Sequence, residues 1–134
     1  MHAELVAVVE DDAIARNALG RLLNAGGFEP ALFDSAETFM AERHRGWLCV
    51  IADVQLAGGM SGIELQSALR SEASAVPVIV ITGQRADAVR ERAERAGCLA
   101  FLSKPFSGTT ILTLLDTLSR ANRTCTKGQD PNVQ

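Results

Sequence analysis

The residues of this chain best suited to chemistry stand where short apolar runs stop. Glu10-Asp11-Asp12 follows Leu5–Val9, Asp53 follows Leu48–Ala52, Thr82 follows Val76–Ile81, and Lys104-Pro105 comes just after Cys98–Leu102. Taken singly, each has an ordinary explanation: an acid after a strand is often a helix N-cap, and a lone lysine is commonly solvated. Brought to one edge, the carboxylates would repel one another unless a cation or protons intervened. Hard oxygen donors of this kind suit Mg2+, which keeps several waters and takes one or two carboxylates plus phosphate oxygens. A hydroxyl and an ammonium on the far side are what the remaining oxygens of a phosphoryl group need.

Those residues share an edge only if the runs are strands of one sheet. The runs are short, unbroken and partly β-branched, as strands buried on both faces of a parallel sheet must be. A further run, Phe28–Phe33, contains Glu29 and Pro30; proline has no N–H for the ladder, so this strand is expected at a sheet edge. Helical periodicity fills the intervals. Ile14, Ala18, Leu22 and Leu23 trace one face, and Ala36, Phe39 and Met40 another, with Asp34 and Glu37 at capping-box spacing. Leu65, Ala68 and Leu69 mark a third helix; Ala86, Val89, Ala93 and Ala96 mark a fourth, stopped by Gly97 at C′. Ile111, Leu114, Leu115 and Leu118 mark a fifth, with Ser107 as its N-cap. Alternating β–α units imply a parallel sheet with right-handed crossovers and helices on both faces. With the second strand at an edge, the order 2-1-3-4-5 of a flavodoxin-like, doubly wound (βα)5 α/β fold fits best. Ligands of such sheets bind beyond the carboxyl ends of the strands.

Composition narrows the function. The 134 residues suit a single domain, and 47% hydrophobic with 22% charged residues is a globular mixture. Thirteen Lys+Arg against sixteen Asp+Glu give a net charge of −3, without the basic footprint of a nucleic-acid binder. The start, Met1-His2-Ala3-Glu4, has neither a basic n-region nor an apolar h-region. Cys49, Cys98 and Cys125 form no CxxC pair, and an odd count reads as reduced thiols, so a cytoplasmic location is expected. Residues 1–121 are expected to form the domain, and the polar, aperiodic stretch 122–134 a disordered tail.

Val8-Val9-Glu10-Asp11-Asp12, Ile51-Ala52-Asp53-Val54-Gln55, Val80-Ile81-Thr82-Gly83 and Phe101-Leu102-Ser103-Lys104-Pro105-Phe106 together resemble the receiver domains of bacterial two-component response regulators. The resemblance runs from about Glu4 to Ala121. The stretches Gly59–Leu65 and Val76–Gly83 are similar to receivers of the nitrogen-fixation transcription-regulator type. The resemblance implies that Asp53 accepts a phosphoryl group from the phosphohistidine of a sensor histidine kinase or phosphotransfer protein. It further implies that Glu10 and Asp11 hold Mg2+, with Asp53 and the backbone carbonyl of Gln55 completing the protein ligands. Thr82 and Lys104 would contact the phosphoryl oxygens, while Asp12 serves as an N-cap. Phe101 would be the switch, its ring entering space vacated by the Thr82 hydroxyl. Its lack of a phenolic hydroxyl would let that inward state form without a polar partner. Such a domain phosphorylates and dephosphorylates itself without being a turnover enzyme. It signals to a downstream protein, or to a second copy through the face of the fourth helix, fifth strand and fifth helix. Direct contact with nucleic acid or membrane is not expected.

One departure stands out. Receivers usually carry proline four residues past the acceptor and glycine eight past it; here Ala57 is the fourth residue and Gly62 the ninth. The loop is therefore expected to be one residue longer and more flexible around Gly58-Gly59. Gly83 leaves the approach to the acceptor open, and Gln55 and Gln84 flank it and could position water. The remaining candidates have plainer readings. His2 and His44 lie away from the cluster, and Cys49 and Cys98 read as small core residues. The Arg85, Arg90, Arg92, Arg95, Asp87, Glu91 and Glu94 set reads equally as a solvated face and as a partner surface. Trp47 falls at the end of its strand opposite Asp53. Three other functions stand as alternatives. The receiver half of a DNA-binding regulator shares every motif. An aspartyl-phosphate hydrolase of the dehalogenase-like type would want Asp-x-Asp after the first strand. A flavodoxin-like cofactor binder would want a phosphate loop where Glu10-Asp11-Asp12 would repel one.

Overall fold

The computed structural model of the protein describes residues 3–56, 59–83 and 87–128, with 124–128 described by backbone alone. The apolar runs become strands β1 (Leu5–Val9), β2 (Glu29–Phe33), β3 (Cys49–Asp53), β4 (Val78–Thr82) and β5 (Ala100–Ser103). The periodic segments become helices α1 (Ala13–Ala25), α2 (Ala36–Met40), α3 (Gly62–Ser71), α4 (Asp87–Arg95) and α5 (Gly108–Gly128). All strand pairs are parallel and the order is β2-β1-β3-β4-β5. This is the flavodoxin-like order expected from the sequence, with Pro30 on the edge strand. Among the described residues, no helix is long and apolar enough to cross a membrane.

The two-residue period of the strands splits the core into two layers. Ala7, Val9, Val50, Ala52, Val78 and Val80 face Phe39, Leu65, Leu69 and Ala93 of α2, α3 and α4. Val6, Val8, Cys49, Ile51, Ile79 and Ile81 face Leu19, Leu23, Ile111 and Leu115 of α1 and α5. Every residue of β3 and β4 is buried, which is why their sequences read as continuous rather than alternating hydrophobic runs. Trp47 precedes β3, packs against Phe33 and Phe39, and donates from Nε1 to the Glu42 carbonyl at 3.0 Å.

Helix ends carry most of the local departures. Asp12 caps α1 as expected, accepting from Ala15 N at 3.3 Å. The Asp34–Glu37 capping box does not form. Ser35, extended at φ −150, caps α2 instead by accepting from Thr38 N, and Glu37 Oε2 turns to accept from Met60 N at 2.9 Å. The capping box is at α3, where Ser61 and Glu64 each accept from the other's backbone N–H. Gly97 takes φ +88 and closes α4 as foreseen, with Gly97 N bonding to Glu94 O and Cys98 N to Ala93 O. Ser107 accepts from Thr109 N at the start of α5. α5 then continues to Gly128, past the limit at residue 121 set by the apolar pattern. No glycine or proline interrupts it before Gly128, and propagation of a formed helix needs no new nucleus. Residues 129–134, like His2, Ala57, Gly58, Gln84 and Arg85, lie outside the described residues. The reshaped loop around Ala57 and Gly58 therefore falls there too.

Candidate functional site

Strand register assembles the site. Val9 pairs with Ala52, Asp53 with Ile81, and Thr82 with Ser103. Glu10, Asp53, Thr82 and Lys104 therefore emerge side by side at one edge, each from a different strand. Three of these polar residues are nearly inaccessible: Glu10 is 1% exposed, Asp53 4% and Thr82 0%. Lys104 reaches in from the half-buried turn after β5. Its ammonium donates to Asp53 Oδ2 at 2.9 Å and to Glu10 Oε1 at 3.2 Å. The second oxygen of each acid is also used. Asp53 Oδ1 accepts from Gln55 N at 2.8 Å, and Glu10 Oε2 from Asp12 N at 3.2 Å. Lys104 N bonds to the Thr82 carbonyl at 2.7 Å, tying the lysine turn to β4.

Two acids and one ammonium leave an excess of negative charge in a buried place. Burial, then the hydrogen bond and charge of Asp53, push the Glu10 carboxyl up to about 7. Burial pulls Lys104 the other way, but its contacts with Asp53 and Glu10 outweigh it and hold the ammonium above its ordinary pKa. The folded protein thus favours any additional positive charge at this edge. Asp11, by contrast, is exposed, as is Gln55. Among the described residues no three His, Cys, Asp or Glu side chains are grouped tightly enough to hold a metal by themselves. A cation here would rest on few carboxylates and complete its shell with carbonyl, water and phosphoryl oxygens, which suits Mg2+ rather than a soft or caged metal.

Phe101 is half-buried in β5, packs against the layer under α3 and α4, and lies under the Arg90 guanidinium, 5.2 Å from ring centroid to Cζ. His44 is exposed and Cys49 is fully buried, its thiol pushed by burial to about 12. Neither joins the site. Some supporting residues escaped the sequence reading. Arg16 Nη1 donates to the Glu10 carbonyl at 2.8 Å and to that of Asp11 at 3.4 Å, fixing the turn that presents both acids. Its signal, an arginine one turn into a helix that follows acids, is too common to single out. Gly62 stands out in the sequence for its displaced position and within the Gly59–Leu65 stretch, but neither signals that a Cβ there would collide with the Asp53 carbonyl oxygen. An apolar cleft of about 480 Å3 beside the acids is lined by Leu19, Leu22, Ile81, Pro105 and Phe106.

Comparison with known proteins gives the same answer as the geometry. Residues 6–116 match the response regulator receiver domain family. The transcriptional regulatory protein FixJ of Bradyrhizobium diazoefficiens is 31% identical over 123 residues, covering 91% of this chain and 60% of that protein. Nodulation protein W of the same organism is 36% identical over 109 residues, covering 81% of this chain and 48% of its own. The chain thus spans about half the length of these relatives. Among solved structures, the crystal structure of FixJ-N superposes with a TM-score of 0.79 at 31% identity, covering 90% of this chain and 96% of that one. Full-length FixJ from B. japonicum gives 0.82 at 30% identity, covering 95% of this chain and 63% of that one. With the motifs, the strand order and the acid–lysine cluster in agreement, the chain belongs to the response regulator receiver domain family of two-component systems.

Proposed function

We propose that Asp53 is the phosphoryl acceptor of this receiver. The observation that carries the reading is the buried Asp53 carboxylate at the end of the central strand, held 2.9 Å from the Lys104 ammonium. In the transfer, an Asp53 carboxylate oxygen forms a bond to phosphorus as the bond from phosphorus to the donor's imidazole nitrogen breaks. The imidazole leaves with that electron pair. Phosphoryl transfer asks the protein for positioning and charge stabilisation rather than covalent help. Lys104 is placed to neutralise a phosphoryl oxygen, and Thr82 to contact another. Glu10, Asp11, Asp53 and the Gln55 carbonyl would hold Mg2+, which would supply charge neutralisation for the transfer. Water attack on the phosphorus later returns Asp53 and inorganic phosphate, so the domain resets itself but turns over no external substrate. Gln55, exposed beside the acceptor, is placed to influence that water.

The donor is a sensor histidine kinase or a phosphotransfer protein, working in the cytoplasm. The apolar cleft beside Glu10 and Lys104, with Ile14 79% exposed on the neighbouring helix, offers it a surface next to the acceptor. The signal leaves through the face of α4, β5 and α5, toward a downstream protein or a second copy. Phe101 connects the site to that face, and direct contact with nucleic acid is no part of this domain's role. A second reading is favoured by the relatives: the match covers only 60% and 48% of their length, and FixJ is named a transcriptional regulatory protein. In that reading the same face addresses a further domain of a DNA-binding regulator.

Acetyl phosphate with Mg2+ should add one phosphoryl group, read by intact mass spectrometry, and Asp53→Asn should abolish it. Addition that persists in the variant, or that maps to Ser61, would sink the assignment.

A further inference from the structure

α4 is the helix least embedded in the core: Ala93 is its one buried residue, whereas α3 buries five. Besides the packing of Ala93 and Ala96, its C-terminal end has a polar hold. From α3, Gln66 donates Nε2 to the Ala96 carbonyl at 2.9 Å, and Arg70, one turn on, donates Nη1 to the Arg95 carbonyl at 3.0 Å. Carbonyls at a helix C-terminus lack intrahelical donors, so these side chains satisfy groups the helix cannot satisfy itself. The backbone closes the same end through Gly97 and Cys98. A Cβ added to Gly97, at φ +88, would lie 3.2 Å from Arg70 Nη1, so the turn and the guanidinium are in close contact. Gln66 is only 5% exposed, and its Oε1 is a buried polar atom without a hydrogen-bond partner among the described residues. A methionine would fill that space without an unmet acceptor. The amide's evident use is the one bond to α4.

The other half of α4 is attached differently, through half-buried Val89 and through Arg90 lying over the Phe101 ring. α3 itself is set against the acceptor strand, because Gly62 at its first turn abuts the Asp53 carbonyl. The helix that carries the clamp is therefore positioned by the strand that carries the acceptor.

We propose that Gln66 and Arg70 are positioning residues that pin the C-terminal end of α4, so that α4 moves as a lever about Gly97 with its N-terminal half following Phe101. The proposal rests on the reading of Asp53 as acceptor and of Phe101 as the mobile ring. A helix held at one end by oriented hydrogen bonds, and at the other by half-buried Val89 and the Arg90–Phe101 contact, has one stiffer and one softer attachment. A change at the ring is then delivered as a tilt rather than as a release of the whole helix.

Native-state hydrogen exchange on the whole chain, followed by NMR, tests the clamp without any phosphoryl mimic. Gln66→Met and Arg70→Met should each speed exchange of the Ala96, Gly97 and Cys98 amides tenfold or more, while β1 and β3 amides change less than twofold. Arg70→Lys, which keeps a donor, should stay near wild type. A uniform acceleration through the sheet would mean a merely structural role, and unchanged exchange at Ala96–Cys98 would mean no clamp; either result overturns the proposal. With beryllofluoride and Mg2+ added, wild-type shift changes should decline along α4 from Asp87 to Arg95, and the methionine variants should flatten that decline. Equal changes along wild-type α4 overturn the lever. If amides beside Asp53 also stay silent, it is the acceptor reading that fails, and the exchange result alone then decides the clamp.

Discussion

At the scale of single residues, the site is defined by one cation serving two acids. Lys104 pairs with both Asp53 and Glu10, so its removal leaves two nearly buried carboxyl groups facing each other. Breaking a fully buried pair costs several kcal/mol, but the Lys104 side chain is 36% exposed and water screens part of that. Lys104→Met should therefore destabilise the metal-free protein by about 1–2 kcal/mol. The same substitution should cost clearly less in an Asp53→Asn background, measured by urea unfolding as a double-mutant cycle. Equal costs in the two backgrounds would show that the lysine and the acceptor are not coupled. The excess negative charge makes a second expectation. Added Mg2+ should raise the melting temperature through ligand linkage, and Asp11→Asn should remove most of that gain. Identical melting with and without millimolar Mg2+ in both proteins would remove the acids from consideration as a cation site.

At the scale of elements, the two ends of α3 call for opposite substitutions. Its first residue, Gly62, must lack a side chain because a Cβ would strike the Asp53 carbonyl. Gly62→Ala should cost about 1–3 kcal/mol, the range for forcing an extra methyl into a packed place. It should also shift the amides around Asp53. Past its last turn, Ala73 occupies the left-handed region at φ +59, with Ala73 N bonded to Arg70 O and Ser74 N to Leu69 O. That is the closing pattern usually given to glycine. Ala73→Gly should stabilise the protein by about 0.5 kcal/mol, the relief of the left-handed conformation outweighing the freer unfolded chain. Chemical denaturation of both variants settles the signs. The start of α2 shows how local signals compete. Asp34 and Glu37 have the spacing of a capping box, but Ser35 lies one residue nearer to α2 and Glu37 is drawn to the Met60 amide across the fold.

At the scale of the whole molecule, the parallel sheet separates the acceptor from the aromatic cluster. Trp47 sits before β3 and Asp53 ends it, so about six residues at roughly 3.3 Å each place them on the order of 20 Å apart. Tryptophan emission should change little on adding Mg2+ or beryllofluoride, yet fully on unfolding, because Phe33, Phe39 and the Glu42 carbonyl enclose the ring. Strong quenching by Mg2+ would contradict the strand direction. Burial also sorts the thiols. Cys49, fully buried in β3 with a strongly raised pKa, should resist alkylation in the folded state, whereas half-buried Cys98 should react measurably faster. Equal rates under native conditions would mean that β3 opens readily.

The sequence by itself determined the strands, the helices, the order of the sheet and the acid, hydroxyl and ammonium at its edge. These follow from short unbroken apolar runs, from the 3.6-residue period between them and from proline's missing N–H, which are properties of short segments. The family was legible for the same reason, since its motifs sit at strand ends. Only the tertiary structure decided which oxygen meets Lys104, that Glu10 is buried while Asp11 is exposed, and that Arg16 braces the turn between β1 and α1. The same holds for the grip of Gln66 and Arg70 on α4 and for the reach of α5 to Gly128. Partners such as Lys104 with Glu10, or Gln66 with Ala96, are far apart in sequence. Nothing in either local stretch specifies them until the parallel crossovers bring the strand and helix ends together.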